Sequence, residues 1–117
     1  MTGSRTLLIA AAVLLVATAL FHATGLTMVA DWLPGDRGRI VSLMWLGMSV
    51  DWAVIAVLWL LVAWRPQAVL RPIVLISAIV PAFVAACLLG IVGSSHPGGF
   101  MLAGSAILAA LGAWRLR

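Results

Sequence analysis

The chain has 117 residues, of which 65% are hydrophobic and only 9% are charged. Soluble domains carry about 25% charged residues, so this composition excludes an ordinary soluble domain and indicates a membrane protein. The formal net charge of +4 does not indicate a nucleic-acid partner, because the arginines stand singly or in pairs at the ends of apolar runs and form no basic stripe.

Four apolar runs predict four transmembrane helices, since about 20 apolar residues cross the hydrocarbon core of a bilayer. The expected spans cover about 6–30, 40–64, 70–93 and 98–114. The first run follows Arg5 and resembles a signal peptide at its start, but apolar residues continue through Val29, so we expect an uncleaved anchor. Turns are predicted at Pro34-Gly35, at Arg65-Pro66 and at His96-Pro97.

Connections this short place consecutive helices side by side in opposite directions. The sequence therefore predicts an all-α fold: one transmembrane domain over residues 1–117, built as an up-down-up-down four-helix bundle. Arginines favour the cytoplasmic side of a membrane, and most of them flank the same ends of the spans. This distribution predicts that both termini lie in the cytoplasm, in a bacterial-type inner membrane. The arginines expected on the cytoplasmic side are Arg5, Arg65, Arg71, Arg115 and Arg117.

Two side-chain patterns indicate how the helices pack. Small residues recur in the first and fourth spans and would let helix backbones approach closely, in the rows Ala12, Ala19, Ala23 and Ser105, Ala109, Ala113. Tryptophans recur every seven residues in the second span, at Trp45, Trp52 and Trp59, and so share one helix face. This stripe is an aromatic wall for a flat ligand or, as such stripes usually are, bulk that fills space between helices.

Asp51 is the only acid inside any apolar run. A charged side chain at the centre of a membrane helix costs about 2.5–3.5 kcal/mol, so this carboxyl is expected to be neutral, paired or turned towards a polar cavity. His22 lies about 12 Å below the end of the first span and Asp51 about 16 Å below the start of the second, at 1.5 Å per residue. Because these spans are neighbours, we expect His22 and Asp51 to meet in a polar pocket.

The residues expected to bind a ligand or a proton in this pocket are His22, Asp51, Trp52, Cys87 and Ser105. One interpretation is a His–Asp pair that only offsets the cost of its own burial. The other is a functional site, since a histidine that titrates near neutrality beside an acid is suited to moving protons. The sequence leaves both open.

The expected function is non-enzymatic: the chain binds or passes a small amphiphile, such as a lipid, a quinone or a hydrophobic cation, or serves as an accessory subunit. Homo-oligomers or a larger membrane complex are its expected partners. The alternative is a haem- or metal-binding protein that uses His22 and His96, although the second histidine lies in a loop roughly 10 Å higher. Ser94 and Ser95 beside His96 are typical turn residues rather than a catalytic triad.

Overall fold

A computed structural model describes residues 2–116 and is helical throughout, with no strand among those residues. The elements are α1 (Thr2–Thr24), α2 (Leu26–Trp32), α3 (Asp36–Trp64), a 3₁₀ turn (Ala68–Leu70), α4 (Arg71–Ile91) and α5 (Pro97–Trp114). Four helical stretches are long and apolar enough to cross a membrane, with α1 and α2 together forming the first. The all-α class and the four membrane-compatible helices are confirmed.

The first span is broken at Gly25, where the sequence predicts one continuous helix. The carbonyl oxygen of His22 accepts a hydrogen bond from the backbone N–H of Gly25 at 3.0 Å and another from the indole Nε1–H of Trp45 at 2.6 Å. A Cβ at position 25 would lie 2.8 Å from a ring carbon of Trp45. Glycine therefore lets the indole lie across the break, where it satisfies a carbonyl that the interrupted helix frees.

The interior of the bundle combines many small residues with a few large ones such as Trp52, Trp59 and Leu15, and many other large apolar residues face outward. Ala12, Ala109 and Ala113 are fully buried, whereas Ile91 is 85% exposed and Trp64 is 77% exposed. The predicted small-residue rows are thus confirmed as packing faces, except that Ala23 is only half-buried. An apolar exterior of this kind suits contact with lipid rather than water.

The four spans do not pack equally tightly. α1 packs closely against α3 and α5, and α5 packs closely against α4, but α3 and α4 touch only sparsely. Among the described residues, one side-chain hydrogen bond joins α3 and α4, from Trp59 Nε1–H to Ser77 Oγ at 2.9 Å. A loosely closed seam between α3 and α4 is therefore part of the fold.

The chain ends are tied to this bundle by an arginine. Arg71, at the start of α4, donates hydrogen bonds to the carbonyl oxygens of Ala113 at 3.2 Å and Leu116 at 2.7 Å. Its guanidinium also lies 5.9 Å from the ring centroid of Trp114. The last carbonyls of a helix lack intrahelical donors, so Arg71 satisfies the end of α5 and fixes it to α4.

Candidate functional site

A cavity of about 500 Å³ lies among the helices near the α2–α3 turn and the α4–α5 loop. Its lining is mostly apolar and comes from all of the helices. Its lining residues include His22, Trp45, Trp52, Leu88, His96 and Leu102. This volume is in the range of small-ligand pockets in proteins, which are mostly apolar with a few placed polar groups.

His22 projects from α1 one turn before the helix break and is held on three sides. Its Nδ1 lies 2.9 Å from Ser49 Oγ. Its ring stacks on Trp45 with 4.1 Å between centroids and 10° between planes. The ring of Trp52 meets it edge to face, with centroids 4.9 Å apart. The imidazole is therefore fixed in orientation by α3.

The neighbours of His22 also determine which ring nitrogen faces the cavity as an acceptor. The Ser49 hydroxyl donates its only proton to the carbonyl oxygen of Trp45, at 3.4 Å. A hydroxyl that donates to Trp45 accepts from His22, and on this basis we assign the imidazole proton to Nδ1; in the other tautomer the hydroxyl donates to Nδ1 instead. Nε2 is left as a hydrogen-bond acceptor, and no described residue bonds to it.

His96 has the opposite arrangement. It is the residue that caps α5, and its Nδ1 accepts the backbone N–H of Gly98 at 3.2 Å. A neutral ring with Nδ1 as acceptor carries its proton on Nε2, which makes that nitrogen a donor. The ring lies 6.3 Å from that of Phe21, on the wall of the same cavity. The cavity therefore has one imidazole acceptor and one imidazole donor.

Trp52 adds a second donor. Its side chain is only 2% exposed, and no described residue accepts a hydrogen bond from its indole N–H. No buried side-chain nitrogen or oxygen in the described part of the chain is both sealed off and unpaired, so this N–H still reaches open space. The space that Trp52 lines is the cavity. A polar group of a ligand would therefore find both donors and an acceptor there.

The structure does not place Asp51 against His22. Asp51 is exposed, and among the described residues its carboxylate has neither a hydrogen bond nor an ion pair. His22 contacts Ser49 instead, and two positions along a helix turn a side chain by about 200°. The prediction matched the depths of the two residues, but depth does not fix the direction in which a helical side chain points.

The other predicted site residues are also spread out. Ser105 is fully buried and donates its hydroxyl proton to the Leu102 carbonyl at 2.8 Å, within its own helix. Cys87 is half-buried on α4 and lines a groove on the outer side of the bundle with Met48. The structure thus brings His22, Trp52 and His96 to one cavity, and it leaves Asp51, Cys87 and Ser105 off that cavity's lining.

Sequence reasoning missed Gly25 and Ser49 as parts of the site, and it gave Trp45 only as a member of the tryptophan stripe. Trp45, Ser49 and Trp52 are spaced i, i+4 and i+7, which places them on one face of α3. A serine between two tryptophans on one buried face is a signal that was available. The break at Gly25 had no comparable signal, because an isolated glycine in an apolar run is tolerated in a helix.

The described residues contain no group of three or more His, Cys, Asp or Glu side chains that could hold a metal ion. Two imidazoles on one cavity could complete the coordination of a metal only where a prosthetic group supplies the other ligands, as the porphyrin of haem does. Comparisons of the chain with protein-family models, with curated proteins and with solved structures found no match.

Proposed function

We propose that this multi-pass membrane protein binds a small amphiphile in the 500 Å³ cavity, without chemical transformation. The observation that carries the proposal is that two imidazoles, whose Nε2 atoms bond to no described residue, line one otherwise apolar cavity. A lipid-soluble molecule with one polar end, such as a lipid, a quinone or a hydrophobic cation, matches this lining. The chain performs this binding alone, as a homo-oligomer or as a subunit of a larger membrane complex.

In the proposed complex, the polar end of the ligand lies between His22 and His96, and its apolar body packs on Trp45, Trp52 and Leu102. His22 Nε2 accepts a hydrogen bond from the ligand where the ligand carries an O–H or N–H group. His96 Nε2–H and the indole of Trp52 donate to ligand oxygens. These hydrogen bonds fix orientation, while burial of the apolar body supplies most of the binding free energy.

The experiment is equilibrium binding to the purified chain in nanodiscs, with empty nanodiscs as the blank. Two probes share a decyl tail: decylubiquinone, which is neutral, and decyltriphenylphosphonium, which is a cation. His22→Phe keeps a ring to stack on Trp45 but removes the acceptor nitrogen. We expect about tenfold weaker binding of decylubiquinol, the reduced form of the neutral probe, because its hydroxyl donates to this nitrogen and the loss corresponds to one hydrogen bond.

The matched control is Trp114→Phe, because Trp114 is 73% exposed and lies at the far end of α5 from the cavity. It should bind the probes as the unmodified chain does. Failure of both probes to bind the unmodified chain above the empty-nanodisc level would contradict the proposal. Equal binding of decylubiquinol by His22→Phe and the unmodified chain would show that His22 does not bind the polar end of the ligand.

We further propose an up-down-up-down topology in a bacterial-type inner membrane, with both termini in the cytoplasm. This topology is supported by the distribution of arginines along the sequence. One of them, Arg117, lies outside the described residues. In a Cys87→Ala background, a cysteine at Ser95 should react with a membrane-impermeant maleimide in intact cells. A cysteine at Gln67 should react only after the cells are opened; the reverse pattern would contradict this orientation.

A second candidate function is haem binding by His22 and His96. The observation in its favour is that both rings line one cavity and that His22 Nε2 has no partner among the described residues; ligation by Nε2 of His96 requires its proton to move to Nδ1, with loss of the hydrogen bond from Gly98 N–H. Two imidazoles can ligate a haem iron axially. The chain purified from haem-supplemented cells should then show a Soret band that both His22→Ala and His96→Ala remove. A colourless preparation that takes up no added haem would exclude this function.

A further inference from the structure

The seam between α3 and α4 carries two grooves on the outside of the bundle. The upper groove is lined by Met48 of α3 and by residues of α4 that include Phe83 and Cys87. The lower groove is lined by Leu58 and Val62 of α3 with Leu70 and Ile73. Met48, Val84 and Leu88 line both the upper groove and the cavity. These three side chains are therefore the wall between the cavity and the outside of the bundle.

Asp51 lies on the side of α3 that borders this seam. It follows Met48 by three positions and precedes Leu58 by seven, and residues at these spacings share one face of a helix. Met48 and Leu58 mark that face as the one turned towards α4. Because α3 and α4 touch only sparsely, Asp51 stays exposed there. Asp51 is not part of the lining of either groove, and the helix register places it on the same side of α3 as Met48, about one turn further along the helix.

We propose that the α3–α4 seam is the entrance by which the ligand passes from the membrane into the cavity, and that Asp51 selects lipophilic cations there. This inference rests on the proposed function, since it names the ligand class and the route for the same cavity. The ligand passes between Met48 and the pair Val84 and Leu88. Its cationic group pairs with Asp51 as it leaves the lipid.

Charge complementarity supports a cation as the occupant. Asp51 is the only acid away from the helix ends in the four spans, and no arginine is among the described residues that line the cavity. A carboxylate in a low-dielectric environment attracts a cation far more strongly than it would in water. Inside the cavity, Trp45 and Trp52 offer aromatic rings and His22 Nε2 offers a lone pair. Aromatic rings favour organic cations, so the class selected at the seam also suits the cavity.

The first test uses the two decyl probes on Asp51→Asn, which keeps the shape of the side chain and removes its charge. We expect decyltriphenylphosphonium to associate about tenfold more slowly and decylubiquinone to be unaffected. Asp51→Leu should give the same pattern. Val54→Asn, on the exposed part of the same helix, is the matched control for placing an amide in contact with lipid.

The outcomes separate this inference from the function on which it rests. If the unmodified chain binds neither probe, the proposed function fails. If it binds the cation and Asp51→Asn binds it equally fast, the cavity stands and the role of Asp51 fails. If both probes associate more slowly with Asp51→Asn, and to the same extent, the acid has a structural role and the proposed selection of cations fails. If Asp51→Asn instead dissociates an oligomer while cation binding is unchanged, the seam is a contact between copies, which also overturns the inference.

The second test blocks the seam. Cys87 is the only cysteine of the chain and lines the upper groove. Modification of Cys87 with a membrane-soluble alkyl maleimide should slow association of decyltriphenylphosphonium about tenfold. The matched control is Cys87→Ala with Val13→Cys, which places the same adduct on an exposed face of α1. Equal rates in the two adducts would show that the ligand enters by another route.

Discussion

At the scale of single residues, the site depends on a short chain of hydrogen bonds that ends on the backbone. The His22 ring bonds to Ser49, Ser49 bonds to the Trp45 carbonyl, and the Trp45 indole bonds back to the His22 carbonyl. Each group in this ring of contacts is satisfied by another in it, which leaves only the cavity-facing nitrogen of His22 unpaired among the described residues. Such networks fix orientation more than they add stability.

Ser49→Ala should weaken ligand binding with little effect on stability. The substitution leaves Nδ1 of His22 without a partner, so the ring is free to exchange its proton between nitrogens and Nε2 is no longer always an acceptor. We expect probe binding about three- to tenfold weaker and a change of under about 1 kcal/mol in the free energy of unfolding. Nanodisc binding and unfolding in sodium dodecyl sulfate measure these two quantities. Ser42→Ala, a half-buried serine on the same helix, should change neither.

The hydrogen bond from Trp59 to Ser77 should be visible in a double-mutant cycle. Trp59→Phe and Ser77→Ala each remove it, so the two substitutions together should cost less than the sum of the two alone. We expect a coupling of about 0.6–1.7 kcal/mol, the range for such bonds in membranes. Unfolding in sodium dodecyl sulfate provides all four values. Strictly additive effects would mean that this bond does not hold the seam.

At the scale of elements, the break between α1 and α2 shapes the cavity. α1 ends at Thr24 and α2 begins at Leu26, and side chains on both sides of this break line the pocket. A continuous helix would place an intrahelical donor where the Trp45 indole now bonds to the His22 carbonyl. The break therefore positions Trp45, and Trp45 in turn positions the His22 ring on which it stacks.

Gly25→Ala should disturb this element, because the added methyl would lie 2.8 Å from the Trp45 ring. Trp45 must move and lose its bond to the His22 carbonyl, at a cost of about 1–3 kcal/mol typical of overpacking. Unfolding measurements and the tryptophan emission maximum report both effects. Gly47→Ala is the control, since nothing lies within 4 Å of a Cβ there. A Gly25→Ala variant as stable as the control would contradict the role given to the break.

At the scale of the whole molecule, a bundle with many small residues in its helix interfaces relies on close approach of its helices. Lipid provides no hydrophobic driving force between membrane helices, so packing contacts must hold them together. α1 and α5 approach at Gly112, where a Cβ would lie 2.9 Å from Leu8 Cγ. Leu8 is itself fully buried and has no open space into which to move.

Gly112→Val should therefore force α1 and α5 apart and destabilise the bundle by about 1–3 kcal/mol or more. The measurement is the free energy of unfolding in sodium dodecyl sulfate. Gly90→Val is the matched control, because position 90 is open and the same substitution there meets nothing within 4 Å of the Cβ. Equal stability of the two variants would show that the α1–α5 contact is not tight.

The sequence by itself determined the number of spans, their approximate limits and the faces that pack, because hydropathy and the 3.6-residue period are local properties. It also placed His22 and Asp51 at similar depths, since helix rise is constant. Only the tertiary structure decided that His22 bonds to Ser49 while Asp51 is exposed and lies off the lining of the cavity. The rotation of one helix against another depends on side-chain packing and on breaks such as Gly25, and neither is set by the residues of a single helix.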